Sequence, residues 1–228
     1  MECLSDGQSA AGWWLPGTGA GREQPAVAAC LKDIKGSILE AMQELDLTNQ
    51  LLIAMPTLMD PNFHQTVTYV CAHNEDGAMG IVINRPMSIA LGEVLDQLEL
   101  STDDPGIENQ IVYQGGPVQK DRGFILYPGG GDQWDSSITI SDRISVATSR
   151  DILEAIAQGR GPEETLIALG YASWGAGQLE QELSENAWLV APLDEEILFR
   201  LPHEQRWGAA AALVGVDLDQ ISDQVGHA

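Results

Sequence analysis

Five side chains in this chain are best suited to specific contact: Asn84, Arg85, Trp174, Gln178 and Glu180. Asn84-Arg85-Pro86 closes a β-rich segment, where a guanidinium can offer its planar fork to a carboxylate. The same arginine could instead serve an internal salt bridge or a helix cap. Tyr171-Ala172-Ser173-Trp174 leads into Gln178 and Glu180, and Asn186-Ala187-Trp188 follows. Aromatic rings beside amides make recognition surfaces, although Trp188, inside an apolar run, suits the core better. Catalytic groups are harder to find. There is no Gly-x-Ser-x-Gly elbow, and spacing assigns no Ser/His/Asp set, so no catalytic residue is named.

Cofactor and metal motifs fail on particular residues. Gly175-x-Gly177 stands at an expected strand-to-helix junction, where free N–H groups could hold a phosphate. A dinucleotide fingerprint would place glycine at 180, but Glu180 is there and Glu182 follows. Those carboxylates satisfy the helix dipole themselves and repel a second anion. Gly129-Gly130-Gly131-Asp132 lacks the Lys-Ser/Thr of a P-loop, and Asp217-x-Asp219 is followed by Ile221 where a calcium ligand belongs. Cys71 and His73 stand two apart on an expected strand and so share one face. No second Cys/His pair has zinc spacing, and His64, His203 and His227 are scattered. A buried Cys71 is an inert small hydrophobe, whereas an exposed one beside His73 is a thiolate fit for redox sensing. The inert reading is preferred. Neither a metal nor a cofactor is expected.

The elements that position these residues follow from patterning. Residues 51–55 form a short apolar run ended by Pro56, which suits a buried strand. Segments 67–73 and 78–84 are rich in β-branched residues, and the turn chemistry of Asn74-Glu75-Asp76-Gly77 joins them as a hairpin. Ser88 can cap a helix with Leu91, Val94, Leu95 and Leu98 on one face. After an acidic loop at 101–106, strands are expected at 111–113, 123–127, 138–140 and 144–147. Thr148 with Asp151 resembles a capping box for a helix whose face is Ile152, Leu153, Ile156 and Ala157, and Gly159 stops it. A buried strand at 165–171, a short helix at 178–183, a strand at 187–191 and helices at 194–199 and 203–214 complete the reading. Strands and helices mix without strict βαβ alternation, which favours α+β over a doubly wound sheet.

Charge excludes some partners. Eleven Lys+Arg against 34 Asp+Glu give a formal charge of -23. Duplexes attract proteins through basic groups that displace counterions, so direct nucleic-acid binding is not expected. Attraction to anionic membranes is opposed for the same reason, and no stretch reaches the roughly 20 apolar residues of a bilayer span. Cys3, Cys30 and Cys71 form no disulfide framework and suit a reducing compartment. A cytoplasmic protein is the expectation.

Residues 1–25, rich in Gly, Ala and Ser, read as disordered, and Ile34, Ile38, Met42 and Leu45 follow at helical spacing, broken by Gly36. The chain thus divides into a disordered or weakly helical extension, 1–45, and a single globular domain, 46–228. Met42 is an alternative translational start. Without residues 1–41 the balance is 29 acids against 8 bases, a charge of -21, so the acidity belongs to the domain.

Several motifs carry a family likeness. They are Leu51-Leu52-Ile53-Ala54-Met55-Pro56, Asp60-Pro61-x-Phe63, Cys71-Ala72-His73-Asn74, Gly77-Ala78-Met79-Gly80 and Asn84-Arg85-Pro86. The series continues through Gly115-Gly116-Pro117-Val118 and Asp121-Arg122-Gly123-Phe124. It is densest at Gly170-Tyr171-Ala172-x-Trp174-x-x-Gly177-Gln178-Leu179-Glu180-x-Glu182 and Asn186-x-Trp188-Leu189. In order and spacing over 46–226 the chain resembles the AlgH/YqgE family. It departs from the pattern at Tyr127, where the family often has histidine.

The resemblance implies an α+β fold whose mixed, forked β-sheet curls into a pseudo-barrel flanked by helices. It also implies a family label as a transcriptional regulator, which the charge argues against as direct DNA contact. The leading expectation is a non-enzymatic regulatory or interaction protein with an unidentified protein partner. Asn84, Arg85, Trp174, Gln178 and Glu180 would form its surface. The alternative is a small-molecule binder or enzyme with a cleft joining the loops Gly115-Gly116-Pro117 and Gly175-Ala176-Gly177.

Overall fold

Strand-forming residues on either side of Glu75-Asp76 make the hairpin from which the sheet grows. The computed structural model describes residues 46–129 and 134–218. In it the hairpin is β2 (Val67–Asn74) and β3 (Gly77–Val82), paired antiparallel. β1 (Gln50–Ala54) lies between β2 and β10 (Trp188–Pro192), antiparallel to both. The extension expected at 1–45, its internal start at Met42, most of the glycine loop after Gly129 and the chain from 219 lie outside the described residues.

The spine of the sheet is β9 (Leu166–Gly175), and here the sheet forks. Its last four residues pair with β3. Its first half lies between β6 (Val118–Pro128), antiparallel, and β5 (Ile111–Gln114), parallel. Beyond β6 come β8 (Ile144–Ala147) and β7 (Ser137–Thr139), while β4 (Pro86–Ala90) pairs with β5. The ten strands make one mixed, forked sheet that curls into a half-barrel with helices outside it. The α+β expectation holds.

The helices are α1 (Leu91–Gln97), α2 (Pro105–Glu108), α3 (Arg150–Ala157), α4 (Gln178–Ser184) and α5 (His203–Leu213). The segment expected as a helix at 194–199 is a π-helical turn, Glu196–Arg200. Ser88 does not cap α1, because it lies within β4. Instead the Glu93 carboxylate reaches back to accept the Ala90 N–H at 3.1 Å. Nor is the acidic loop wholly irregular: Asp104 accepts the Gly106 N–H at 2.7 Å, and Pro105 opens α2.

Side-chain parity explains the curl. Leu51, Ile53, Val67, Tyr69, Ile81, Phe124, Leu126, Leu166 and Ala168 meet in one cluster on the concave face. Ile197, Leu198, Ala210 and Ala211, from the π turn and α5, belong to the same cluster and cover one end of it. The convex face carries two further clusters. One seats α1 and α3 through Leu91, Leu95, Ile152 and Ile156, the other seats α4 through Leu179 against Trp174 and Trp188. Each fully buried Leu or Ile contributes about 1.5–3 kcal/mol, so losing any layer would unfold the arrangement. Among the described residues, no helix is long and apolar enough to cross a membrane.

Two irregularities re-aim side chains. β2 carries a bulge at Cys71: Val70 opposes Gly80, Ala72 opposes Met79, and Cys71 has no partner. Cys71 therefore enters the concave cluster, while His73 turns to the convex side to meet α4. The expectation that Cys71 and His73 share a face is wrong, because it assumed an unbroken period of two. On β9, Gly170 has φ +76° and the same slip occurs. Ile167 and Leu169 face the convex cluster before it, and Ala172 and Trp174 after it.

Candidate functional site

The five contact residues fall into two groups joined by the loop before β2. Asn84 takes over the end of the hairpin, accepting the Val67 N–H and donating to the Gln65 carbonyl, both at 2.9 Å. Arg85 donates to the carbonyls of Pro61 at 2.6 Å and His64 at 3.0 Å, tying down the same loop. Its partial burial lowers the guanidinium pKa. The loop's Phe63 then stacks on Trp174, with ring centroids 5.9 Å apart, and meets Trp188 edge-on at 5.4 Å.

Around α4 the polar groups satisfy one another. Glu182, which spacing did not single out as a hub, accepts the indole N–H of Trp174 at 3.0 Å and that of Trp188 at 2.8 Å. Its other oxygen accepts from Gln178 Nε2 at 2.9 Å, while Gln178 Oε1 accepts the Gly175 N–H at 3.0 Å. Glu180 lies 3.0 Å from His73 Nε2, and both side chains are buried. His73 Nδ1 accepts the Leu47 N–H at 3.2 Å, which places the ring hydrogen on Nε2, donated to Glu180.

The expected recognition surface is therefore corrected. Trp174 and Glu180 are only 3% and 5% exposed, because the convex cluster and α4 enclose them. Arg85 and Asn84 are half-buried and engaged with backbone, and Gln178 alone is exposed. These residues build the fold's frame. Their clustering in the sequence reflects one interlocked network rather than an open face.

The cleft expected between the two glycine loops is also displaced. Gly115 donates its N–H to Leu169 O and accepts from Val82 N–H, so this loop is laid directly on neighbouring backbone. A Cβ on Gly116 would run into the backbone of Tyr171. That loop lies against the middle of β9, whereas the Gly175-Ala176-Gly177 segment lies at its C-terminal end, where Gly177 caps α4.

An open space does exist elsewhere. The end of the concave cluster opposite α5 is a cleft of about 410 Å³. Its walls are Cys71, Met79, Phe124, Ile140, Val146 and Tyr171, with Phe124 and Tyr171 edge-to-face at 5.5 Å. Both irregularities border it: the β2 bulge supplies Cys71 and Ala72, and the slip at Gly170 supplies Tyr171. Burial pushes the Cys71 thiol well above its usual range, so it is held as the neutral thiol. At the rim, the Arg122 guanidinium lies 5.6 Å over the Phe124 ring and reaches Thr148 Oγ1 at 3.4 Å. Among the described residues no carboxylate pairs with Arg122. Sequence reasoning missed this cleft, since Met79, Phe124 and Tyr171 read individually as strand residues.

The described residues hold no group of three or more His, Cys, Asp or Glu side chains arranged for a metal ion. What the site presents is an apolar lining, a protonated thiol and one exposed cation.

This geometry belongs to a class of α+β proteins built on a forked, curled sheet with a knot of polar groups under one helix. The chain belongs to the AlgH-like family, whose model matches residues 51–219. It is 57% identical over 183 residues to a UPF0301 protein of Thioalkalivibrio sulfidiphilus, covering 80% of this chain and 97% of that one. A UPF0301 protein of Nitrosococcus oceani is 53% identical over 180 residues, with 79% and 96% covered. Among solved structures, the solution structure of AlgH from Pseudomonas aeruginosa matches with a TM-score of 0.67 and 52% identity, covering 81% and 97%. A Corynebacterium diphtheriae protein solved by X-ray crystallography shares the fold at a TM-score of 0.63 and 21% identity, over 81% and 96% of the chains.

Proposed function

We propose that this AlgH-like protein is a non-enzymatic binding protein that takes an apolar small molecule with an anionic head group into the open end of its half-barrel. The observation that carries this reading is the cleft of about 410 Å³, apolar within and cationic at one point of its rim. Ligand sites have this size range and this make-up, with a few polar groups fixing orientation. Arg122 would hold the head group, assisted by Thr148, while Phe124, Val146 and Tyr171 enclose the tail. Arg122 is exposed and lines this cleft, and among the described residues no carboxylate pairs with it, so its charge is available to an incoming anion. The neutral Cys71 thiol is a poor nucleophile, and His73 with Glu180 is buried on the other face, which supports binding rather than turnover.

A regulatory role fits this reading, with occupancy of the cleft as the signal passed to a protein partner in the cytoplasm. Direct contact with nucleic acid has no part in it. The test is calorimetric and thermal titration with decanoate below its micellar range, beside decanol. Decanoate at a hundred times its dissociation constant adds about 2.7 kcal/mol of stability. Arg122→Ala weakens decanoate about tenfold, as for one charged hydrogen bond, and leaves decanol unchanged. Ile140→Trp, which fills the cleft, abolishes both. Decanoate binding that ignores Ile140→Trp, or no saturable binding at all, rejects the proposal.

A further inference from the structure

At the opposite end of the half-barrel, beneath α5, lies a second feature that the cleft does not explain. Arg206 is 3% exposed, yet among the described residues no carboxylate pairs with it. Its Nε donates to Leu201 O at 2.9 Å, Nη1 donates to Ile83 O, and the guanidinium lies 5.1 Å over the Tyr113 ring. Two carbonyls and the Tyr113 side chain, which also hydrogen-bonds to the guanidinium, use only part of five N–H donors. A buried cation without a counter-charge is costly, and proteins ordinarily pair it. The first turn of an eleven-residue helix makes matters worse, since the helix dipole is positive there. A chain with 34 acidic residues sets none of its described carboxylates against this cation.

Arg206 forms part of the wall of an open cavity of about 200 Å³. Tyr113, beneath the guanidinium, and Thr165 line it too, with Ile111, Leu166 and Phe199 as apolar walls. Thr165 Oγ1 already accepts from Gln110 Nε2 at 2.8 Å, so its own hydrogen is free to be donated. The geometry points to a binding site for a small free carboxylate with a short apolar tail, its oxygens held by Arg206 and the Thr165 hydroxyl. A carboxylate oxygen matches the guanidinium N–H donors that remain, and the size of the cavity favours a small ligand. This site shares no residue with the cleft at Cys71, so the two proposals succeed or fail separately.

The experiment is an NMR titration of the full chain, following the Arg206 Nε–H and the Thr165 amide. Sodium acetate and sodium propionate are compared with sodium chloride at matched ionic strength. Saturable shifts at both positions with the carboxylates, and none with chloride, are expected. Thr165→Val leaves the Arg206 contacts intact and raises the dissociation constant about tenfold. Arg206→Lys keeps the charge but loses the fork, and weakens binding at least as much where it folds. Shifts with acetate that match chloride, an affinity untouched by Thr165→Val, or phosphate binding as tightly as acetate would each overturn the assignment.

Discussion

At the residue scale, one carboxylate does more structural work than its position suggests. Glu182 accepts two indole N–H groups and one amide, all within 3.0 Å, and so joins β9, α4 and β10. Both tryptophans are buried, so removing their acceptor strands two donors in an apolar layer. Each such donor costs about 1–3 kcal/mol. Glu182→Ala is expected to lower unfolding free energy by about 3 kcal/mol in urea and to shift indole emission. Glu182→Gln keeps an acceptor oxygen and is expected to lose clearly less. A loss for the alanine variant under about 0.5 kcal/mol would mean the indoles find other acceptors. The motif Gly177-Gln178-Leu179-Glu180-x-Glu182 was legible as a dense cluster of polar residues. Its inward role was not, because Glu180 finds His73 across 107 residues of sequence.

At the element scale, the fork depends on a backbone position that only glycine fills comfortably. Gly170 has φ +76°, and a Cβ there would stand 2.7 Å from Gly116 O and 2.9 Å from Val118 O. The left-handed conformation alone costs a non-glycine residue about 1–2 kcal/mol. Backbone cannot yield as a flexible side chain can, so Gly170→Ala is expected to destabilise by about 3 kcal/mol or more in denaturant titration. Gly208, in α5, is the matched control, since nothing lies within 4 Å of the place its added methyl group would take. Gly208→Ala is expected to stabilise by about 0.5–1 kcal/mol through helix propensity. Equal effects at the two sites would refute the fork argument. The β2–β3 hairpin and α3 were readable because turn and periodicity signals act within a few residues. The full length of β9 was not, since its last residues, Ala172 to Gly175, are strand only by virtue of pairing with β3.

At the scale of the whole molecule, 34 acids against 11 bases make self-repulsion a general cost. Screening length falls from about 30 Å at 0.01 M salt to about 8 Å at 0.15 M, so most of this repulsion is removable. The melting temperature is expected to rise by several degrees between these conditions in scanning calorimetry, because about 1 kcal/mol is worth 2–4 °C at this size. A fall instead would show that specific ion pairs outweigh the net charge. The exposed Arg200 pairs with Glu164 and Glu196 and Arg150 pairs with Glu154, but such surface pairs contribute little each. The fold class was visible at this scale from the irregular mixture of strands and helices. The concave interior was invisible, because a cleft belongs to no single segment.

What the sequence by itself determined is local or additive: the acidity, the hairpin, the amphipathic α3 and the α+β mixture. The family motifs also located the residues that matter most to the frame. Tertiary structure alone decided which of those residues face inward. It turned Trp174 and Glu180 from a candidate surface into buried partners, and separated Cys71 from His73 by a bulge of one residue. It also decided where space remains, since the two ends of the half-barrel are set by contacts such as Trp207 Nε1 to Ala54 O, 153 residues apart. The physical reason is range. Propensity and periodicity act over one turn or one strand, whereas enclosure, and with it burial, charge pairing and cavity shape, needs segments that meet only when the sheet curls.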